Sequence, residues 1–237
     1  MPATIVLVHG AFAESASWDG VIERLQDAGL PVVAAANPLR GLATDAEAVS
    51  DLVATIDGPV VLVGHSYGGA VISNVRADVG DVTGLVYIAG FAPAPDESAL
   101  TLSGLFPGST LGEALQAVPR TDGTTDLFIE RDRFHAQFAA DLPAMQAASM
   151  AATQRPVTQE ALVEPSGSSP LWTDVPSWFL FGDEDRNIPV ALQRYMAQRA
   201  EARRTIEIPG ASHAVAVAQP SVAADLIVEA AALRAAV

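Results

Sequence analysis

The sequence contains no cysteine and no lysine, so its 13 basic residues are all arginine. Without cysteine the chain can form no disulfide, use no thiol nucleophile and build no cysteine-based zinc site. Without lysine it has no side-chain amine for Schiff-base or general-base chemistry. Covalent chemistry by a thiol or an amine side chain is therefore excluded.

Positive charge is also scarce, because 28 acidic residues give a formal net charge of −15. That field repels phosphate backbones and anionic lipid, so we expect no nucleic-acid partner and no membrane-surface partner. The first apolar run, residues 3–8, is too short for a signal-peptide core or a membrane span, and a cytoplasmic location is the default expectation. Half of the 237 residues are hydrophobic, which predicts one globular domain with a large core.

Short apolar runs alternate with helical patterns, which predicts an α/β fold with a mostly parallel sheet and helices on both faces. The predicted strands are residues 3–8, 31–36, 60–63, 85–89, 177–181 and 204–208. Between residues 92 and 174 prolines separate short helical patterns at 112–118, 127–138, 145–153 and 159–163. We interpret this segment as a helical cap inserted into a single domain, 1–237, whose core is 1–91 and 175–237.

Residues 60–69, VVLVGHSYGG, place a serine between a strand pattern and a helical pattern. In a G-x-S-x-G turn the residues two before and two after the serine approach closely, which only glycine allows, and Gly64 and Gly68 match. Such a turn holds Ser66 in a strained conformation above the sheet edge and aims the Tyr67 N–H at whatever the serine attacks. The alternative is a plain glycine-rich turn, but the flanking strand and helix favour a nucleophile.

A serine nucleophile needs a base, and the base needs an orienting acid. Of four histidines, His213 follows the last predicted strand, where ligands meet in α/β sheets, so we predict that it is the base. His9 belongs to the turn after the first strand, and His135 lies in the cap. His65 is enclosed in the serine turn and is expected to point away from the nucleophile.

The acid is expected after a strand, between the serine and the histidine in sequence. Asp183, Glu184 and Asp185 all follow the strand that ends at residue 181, and Asp96 follows the fourth strand. The spacing of these residues alone leaves the choice open.

Four motifs occur in order along the chain: VLVHG, GHSYGG, GDEDRNIP and GASH. Together they resemble the α/β-hydrolase fold superfamily over nearly the full chain outside the cap. The resemblance implies about six strands and a triad in the order Ser, Asp, His. In that family the acid follows the glycine of G-x-x-D-x-x-x-P by three residues, which implies Asp185, with Asp183 as the fallback.

The same resemblance implies an oxyanion hole made of two backbone N–H groups. One is that of Tyr67, and the other belongs to Ala11, or to Phe12 if the loop is shifted by one residue. Removing one such donor typically costs ~3 kcal/mol of transition-state stabilisation.

The opening HGAF followed by ESASWDG is similar to the plant methylesterase and hydroxynitrile lyase branch. The resemblance implies a serine carboxylesterase that cleaves small carboxylic esters through an acyl-enzyme, and we expect neither a metal nor a cofactor. Alternatives are a lyase, an acyltransferase or perhydrolase on the same triad, or a ligand receptor. Lyases of that branch have a lysine after the histidine, where this chain has Ala214, and nothing in the sequence indicates an oligomeric state. The aromatic residues predicted to line the substrate pocket are Phe12, Phe91, Phe134, Phe138 and Trp172.

Overall fold

The computed structural model describes residues 1–233 and consists of alternating strands and helices. The strands are β1 Thr4–Val8, β2 Val32–Ala35, β3 Pro59–His65, β4 Asp81–Ile88, β5 Leu115–Pro119, β6 Thr125–Ile129, β7 Val157–Thr158, β8 Ser177–Gly182 and β9 Arg204–Ile208. The α-helices are α1 Asp19–Asp27, α2 Leu42–Val53, α3 Tyr67–Ser73, α4 Ala99–Ser103, α5 Arg131–Phe138, α6 Ala144–Thr153, α7 Gln159–Val163, α8 Val190–Arg199, α9 Val215–Ala218 and α10 Pro220–Ala232.

The main sheet has six parallel strands in the order β2-β1-β3-β4-β8-β9. The six predicted strands are all present, which confirms the α/β fold and the parallel sheet. Val8 of β1 pairs with Gly64 of β3, and Gly64 pairs in turn with Tyr87 of β4. The carboxyl ends of these strands therefore lie side by side, where α/β folds place their ligands.

Side chains alternate between two apolar layers, one on each face of the sheet. Val6 and Leu62 face the layer that includes α2, α3 and α8. Ile5 and Val61 face the opposite layer, which is formed by α1 and α10. Because both faces are covered, the central strands are continuous runs of β-branched and aliphatic residues, as expected of a buried parallel sheet.

The segment from 92 to 174 is not wholly helical, which corrects the sequence analysis. It contains a small antiparallel sheet, β5-β6-β7. The predicted helix at 112–118 is a short 3₁₀ turn followed by β5, and the one at 127–138 divides into the end of β6 and α5. The predicted helices at 145–153 and 159–163 correspond to α6 and α7. That this segment forms an inserted cap on one domain stays a proposal.

An Asp-Gly pair explains why β5 and β6 form a hairpin. Gly123 has φ 89, a conformation that favours glycine. The Asp122 side chain accepts a hydrogen bond from the Thr124 N–H at 3.0 Å, which fixes the turn. Asp-Gly between short apolar runs is a strong hairpin signal, and the helical interpretation overlooked it.

The structure defines the ends of α3 and α10. α3 ends at Ser73, and the Asn74 side chain just beyond it accepts hydrogen bonds from the Ser166 hydroxyl and the Gly167 N–H. The sequence pattern that begins at Gln219-Pro220 predicts a C-terminal helix to about residue 235, which lies outside the described residues. In the structure α10 ends at Ala232. Within residues 1–233 no helix has the length and apolarity needed to cross a membrane.

Candidate active site

Ser66 lies at the junction of β3 and α3, in a conformation that side-chain-bearing residues rarely adopt. Its φ is 55 and its ψ is −125. The Ser66 N–H donates to the carbonyls of Ile88 and Ala89 at 3.2 and 3.1 Å. Its own carbonyl accepts from the N–H groups of Gly69 and Phe91 at 2.9 and 3.0 Å. Four backbone hydrogen bonds, three of them to residues 88–91, therefore fix this turn.

Glycines surround the serine because the backbone leaves no room for a side chain. A Cβ on Gly64 would lie 2.5 Å from the carbonyl oxygen of Gly68, and a Cβ on Gly68 would meet the carbonyl oxygen of Val8. A Cβ on Gly10 would lie 2.6 Å from the Cβ of Ser66 and 3.2 Å from its hydroxyl oxygen. The steric reason given above for the G-x-S-x-G spacing is thus present, and the turn after β1 is in contact with the serine.

The structure brings Asp185 and His213 together. Nδ1 of His213 lies 2.7 Å from Oδ2 of Asp185, and both side chains are fully buried. The loop after β8 supplies the acid and the loop after β9 supplies the histidine, and these strands are adjacent in the sheet. Nε2 of His213 is buried and has no hydrogen-bond partner among the described residues. The imidazole is therefore oriented at one nitrogen, while the other makes no hydrogen bond to Ser66 or to any other described residue.

The carboxylate of Asp185 is held by three further donors. Its Oδ1 accepts from the N–H groups of Asn187 and Ile188 at 2.8 and 2.9 Å, and its Oδ2 accepts from the Gln193 amide at 3.2 Å. These hydrogen bonds fix the orientation of the carboxylate towards the His213 ring. The sequence did not reveal Gln193, because it lies on α8 and meets the loop only in the folded chain.

The other candidate acids lie elsewhere. Asp183 and Glu184 are exposed, and Oδ1 of Asp183 accepts the Gly210 N–H at 2.6 Å. Asp96 is exposed, and its N–H bonds to the carbonyl of Ser166. The geometry therefore favours the residue that the family resemblance implies.

His65 contacts the proposed base, which the sequence analysis missed. Its Nε2 lies 3.1 Å from the carbonyl oxygen of His213, and the two rings are 4.8 Å apart. Since a carbonyl only accepts, Nε2 of His65 carries the proton. Burial, with the nearby His213 as a smaller cause, lowers the pKa of His65 to about 3, so this ring is a neutral donor at ordinary pH.

One backbone hydrogen bond bears on the choice of donor for the proposed oxyanion hole. The Phe12 N–H donates to the carbonyl of Arg155 at 3.0 Å, so it is already occupied. Phe12 has φ 61, which marks the strained turn after β1. The alternative in which Phe12 is the second donor is therefore disfavoured, and Ala11 remains, beside Tyr67.

The side chain of Tyr67 points into the core. Its hydroxyl donates to Oδ2 of Asp45 on α2 at 2.9 Å. Burial raises the pKa of Asp45, and burial together with that carboxylate raises the pKa of Tyr67. The hydrogen bond fixes the start of α3, and with it the Tyr67 N–H, relative to α2.

A small apolar cavity lies between His65 and Ala214, the residue that follows the proposed base. It holds about 10 Å³, room for one water molecule, and Trp18, His65, Phe138, Met150 and Ala214 line it. Of the five aromatic residues predicted to bind substrate, Phe138 lines this cavity and its ring lies 4.9 Å from that of His213. Ser66 and His213 are buried in this conformation, so a substrate must displace covering residues to reach them.

The other four predicted aromatics have different surroundings. Phe134 stacks on Phe138 at 4.9 Å, and Phe12 and Phe91 are buried near the serine turn. Trp172 donates its indole N–H to the Pro93 carbonyl and lies against the Arg199 guanidinium. Their role in substrate binding stays a prediction.

Comparison with known proteins identifies the family. The profile of the alpha/beta hydrolase family matches residues 5–226. The chain therefore belongs to the α/β-hydrolase family, as its sheet and serine turn indicate.

Similar proteins include hydrolases and esterases. A pyrethroid hydrolase from Sphingobium wenxiniae is 26% identical over 246 residues, which cover 95% of this chain and 86% of that protein. The structure of polyneuridine aldehyde esterase matches with a TM-score of 0.80 at 19% identity, covering 97% of this chain and 99% of that one. The structure of an extracellular α/β-hydrolase from a Paenibacillus species matches with a TM-score of 0.80 at 22% identity, covering 97% of this chain and 99% of that one. That hydrolase is described as sharing structural and functional homology with tobacco salicylic acid binding protein 2. At these identities the structural likenesses show the fold.

Proposed function

We propose that this protein is a serine esterase that hydrolyses small carboxylic esters through an acyl-enzyme intermediate. The observation that carries the proposal is the buried 2.7 Å contact between Asp185 and Nδ1 of His213, with Nε2 of the same ring unpartnered among the described residues. The strained serine turn supports it, because that geometry places a hydroxyl at the carboxyl edge of the sheet. The names of the similar proteins, a hydrolase and an esterase, agree with this chemistry.

The first half of the reaction forms the acyl-enzyme. The Ser66 hydroxyl oxygen attacks the ester carbonyl carbon while Nε2 of His213 takes the hydroxyl proton. Asp185 keeps the imidazole in the required tautomer and stabilises the imidazolium. The carbonyl oxygen becomes an oxyanion, which accepts hydrogen bonds from the N–H groups of Ala11 and Tyr67. Collapse of the tetrahedral intermediate breaks the C–O bond, and the alcohol leaves with the proton from His213.

The second half releases the acid. A water molecule gives a proton to Nε2 of His213 and attacks the acyl carbon, forming a second tetrahedral intermediate. Its collapse returns the proton to Ser66 and frees the carboxylic acid. No metal or cofactor takes part in this proposed sequence, and the atoms balance with water as the only co-reactant.

The substrate pocket is proposed to lie under the cap, with Phe138 closest to the base. An apolar acyl or alcohol group fits aromatic surroundings of this kind. Phe138→Ala should change kcat/KM for esters with bulky groups more than for a small acetate ester. Equal loss on every ester would mean that Phe138 supports the fold and not substrate choice.

Hydrolysis is tested with a panel of p-nitrophenyl, aryl and methyl esters, with Ser66→Ala as the control. We expect turnover of some of these esters by the natural sequence and loss of nearly all turnover in the variant. Retention of turnover in Ser66→Ala, or no turnover of any ester by the natural sequence, would contradict the proposal.

The remaining predictions concern location and partners. We propose a cytoplasmic protein whose partner is a small-molecule ester, with no nucleic-acid or membrane partner; the negative net charge of −15 supports the last two points. Fractionation of the native host, with detection in the cytosol or in the culture medium, tests the location.

A further inference from the structure

The C-terminal end of α5 contacts the loop that carries the proposed base. The Phe138 carbonyl accepts hydrogen bonds from the Ala214 N–H at 3.0 Å and from the Ser212 hydroxyl at 3.2 Å. These donors are the residues on either side of His213. The loop is therefore attached at both sides of the histidine to a single carbonyl of the cap.

The neighbouring residue of α5 contacts the loop that carries the proposed acid. The Gln137 amide nitrogen donates to Oδ1 of Asn187 at 2.8 Å and to the carbonyl of Arg186 at 2.9 Å. The N–H of Asn187 in turn donates to Oδ1 of Asp185. Gln137 thus binds the two residues that follow the acid, one of which holds the carboxylate directly.

Gln137 is itself held in place and buried. Its Oε1 accepts from the Thr110 hydroxyl at 2.9 Å, so both ends of the amide are bonded. The other buried side chains on this face of α5, Phe134 and Phe138, are apolar. A buried amide costs free energy unless it is hydrogen-bonded, and packing alone would be served by another apolar residue. The amide stands at the point where α5 meets the acid loop.

We propose that Gln137 is a positioning residue, which holds the Asp185 loop against the same helix end that holds the His213 loop. The helix end then fixes the separation of acid and base, and movement of α5 changes it. This inference rests on the proposed function for the roles of Asp185 and His213. It makes the C-terminal end of α5 a part of the catalytic frame.

A matched pair of variants tests the proposal. Gln137→Met removes all three hydrogen bonds at nearly constant volume. Gln154→Met is the control, because Gln154 also makes three hydrogen bonds, but to Ile129 and Ala151 within the cap. Gln137→Glu, which keeps the size and the bond from Thr110 but loses both donated bonds, is measured beside them in case the methionine variant folds poorly.

Two readouts are compared, kcat and KM on an ester and the downfield proton resonance of the His213 Nδ1–H, assigned by its loss in His213→Gln. We expect Gln137→Met and Gln137→Glu to lower kcat by about 10- to 100-fold with little change in KM, since small misplacements cost that much. The resonance should shift or broaden in both variants and stay unchanged in Gln154→Met.

An unchanged resonance and unchanged kcat in the Gln137 variants would overturn the proposal. The proposal would also be overturned if kcat fell equally in the Gln137 and Gln154 variants, in proportion to the loss of thermal stability in each. The resonance can be measured without substrate. If the protein hydrolyses no ester, the proposed function is contradicted, and the resonance still tests whether Gln137 positions the Asp185 loop.

Discussion

Ser66 occupies a conformation that costs on the order of 1–3 kcal/mol for a residue with a Cβ. The four backbone hydrogen bonds to its N–H and carbonyl hold it there, two of them from the end of β4 and one from Phe91 beyond it. Neighbouring glycines let three backbone segments approach the turn without a clash. The strain is therefore maintained by the sheet, which keeps the hydroxyl in one position before any substrate binds.

The two aspartates after β8 should differ sharply in their effect on catalysis. Asp185→Asn should lose ~10⁴-fold in kcat with little change in fold, because an amide favours the wrong tautomer of the imidazole. Asp183→Asn should retain most activity, because an amide oxygen can still accept the Gly210 N–H that Asp183 binds. Steady-state kinetics of the two variants decide the matter. An inactive Asp183→Asn beside an active Asp185→Asn would reverse the assignment.

Neutral, buried His65 should make the protein less stable in acid. Its pKa is lowered from 6.5 to about 3 on folding, so between these values the unfolded chain binds a proton that the folded chain does not. The free energy of unfolding should therefore fall as the pH drops from about 6.5 towards 3, by up to about 1.4 kcal/mol per pH unit from this residue.

The test of this pH effect is urea unfolding at several pH values between 7 and 4. His65→Gln removes the titrating ring. The free energy of unfolding should then depend less steeply on pH, by the contribution of about one bound proton. His9, whose pKa burial also lowers, keeps part of the slope in the variant. Identical slopes in the variant and the natural sequence would show that His65 is not the cause.

At the scale of elements, Arg40 attaches the small antiparallel sheet β5-β6-β7 to the segment that follows β2. Its guanidinium donates to Oδ1 of Asp126 at 2.6 Å and to the Pro156 carbonyl at 2.9 Å. The Arg40 carbonyl also accepts the Thr158 hydroxyl at 2.8 Å. Arg40, in the segment that follows β2, therefore binds both the beginning of β6 and the residues around β7.

Replacing Arg40 should measurably loosen this attachment. Arg40→Met loses bonds to a carboxylate and to backbone carbonyls, and about 1–2 kcal/mol of stability should go with them. Arg76→Met is the control, because Arg76 pairs with Glu47 on the open surface, where such pairs contribute about 0–1 kcal/mol. Chemical denaturation measures both. Equal effects would mean that Arg40 contributes no more than an ordinary surface ion pair.

Prediction of secondary structure from the sequence failed in part of the segment from 92 to 174. β6 is only five residues long and runs almost directly into α5, so its alternation is too short to separate from a helical pattern. The Asp122-Gly123 turn was the available signal. By contrast, the strands of the main sheet are mostly continuous apolar runs separated by helical patterns, and all six were predicted.

At the scale of the whole molecule, the sequence predicts the order of the site residues better than their surroundings. Ser66 and His213 could be selected because each follows a strand, and parallel strands end at one edge of the sheet. The choice of Asp185 among the acids after β8 needed the family resemblance as well. The contacts of His65 and Gln137 could not be predicted, because they involve backbone carbonyls of distant segments. The substrate pocket could not be derived either, since it depends on how the cap packs over the core.

The central claim is that Ser66 is the nucleophile, and covalent labelling tests it most directly. A fluorophosphonate reagent is added to the natural sequence and to Ser66→Ala, whose fold is checked by circular dichroism. Intact mass and peptide mapping then count and locate the adducts. The account predicts one adduct, on Ser66, in the natural sequence and none in the variant; an adduct that persists in Ser66→Ala, or one found on another residue, would contradict it.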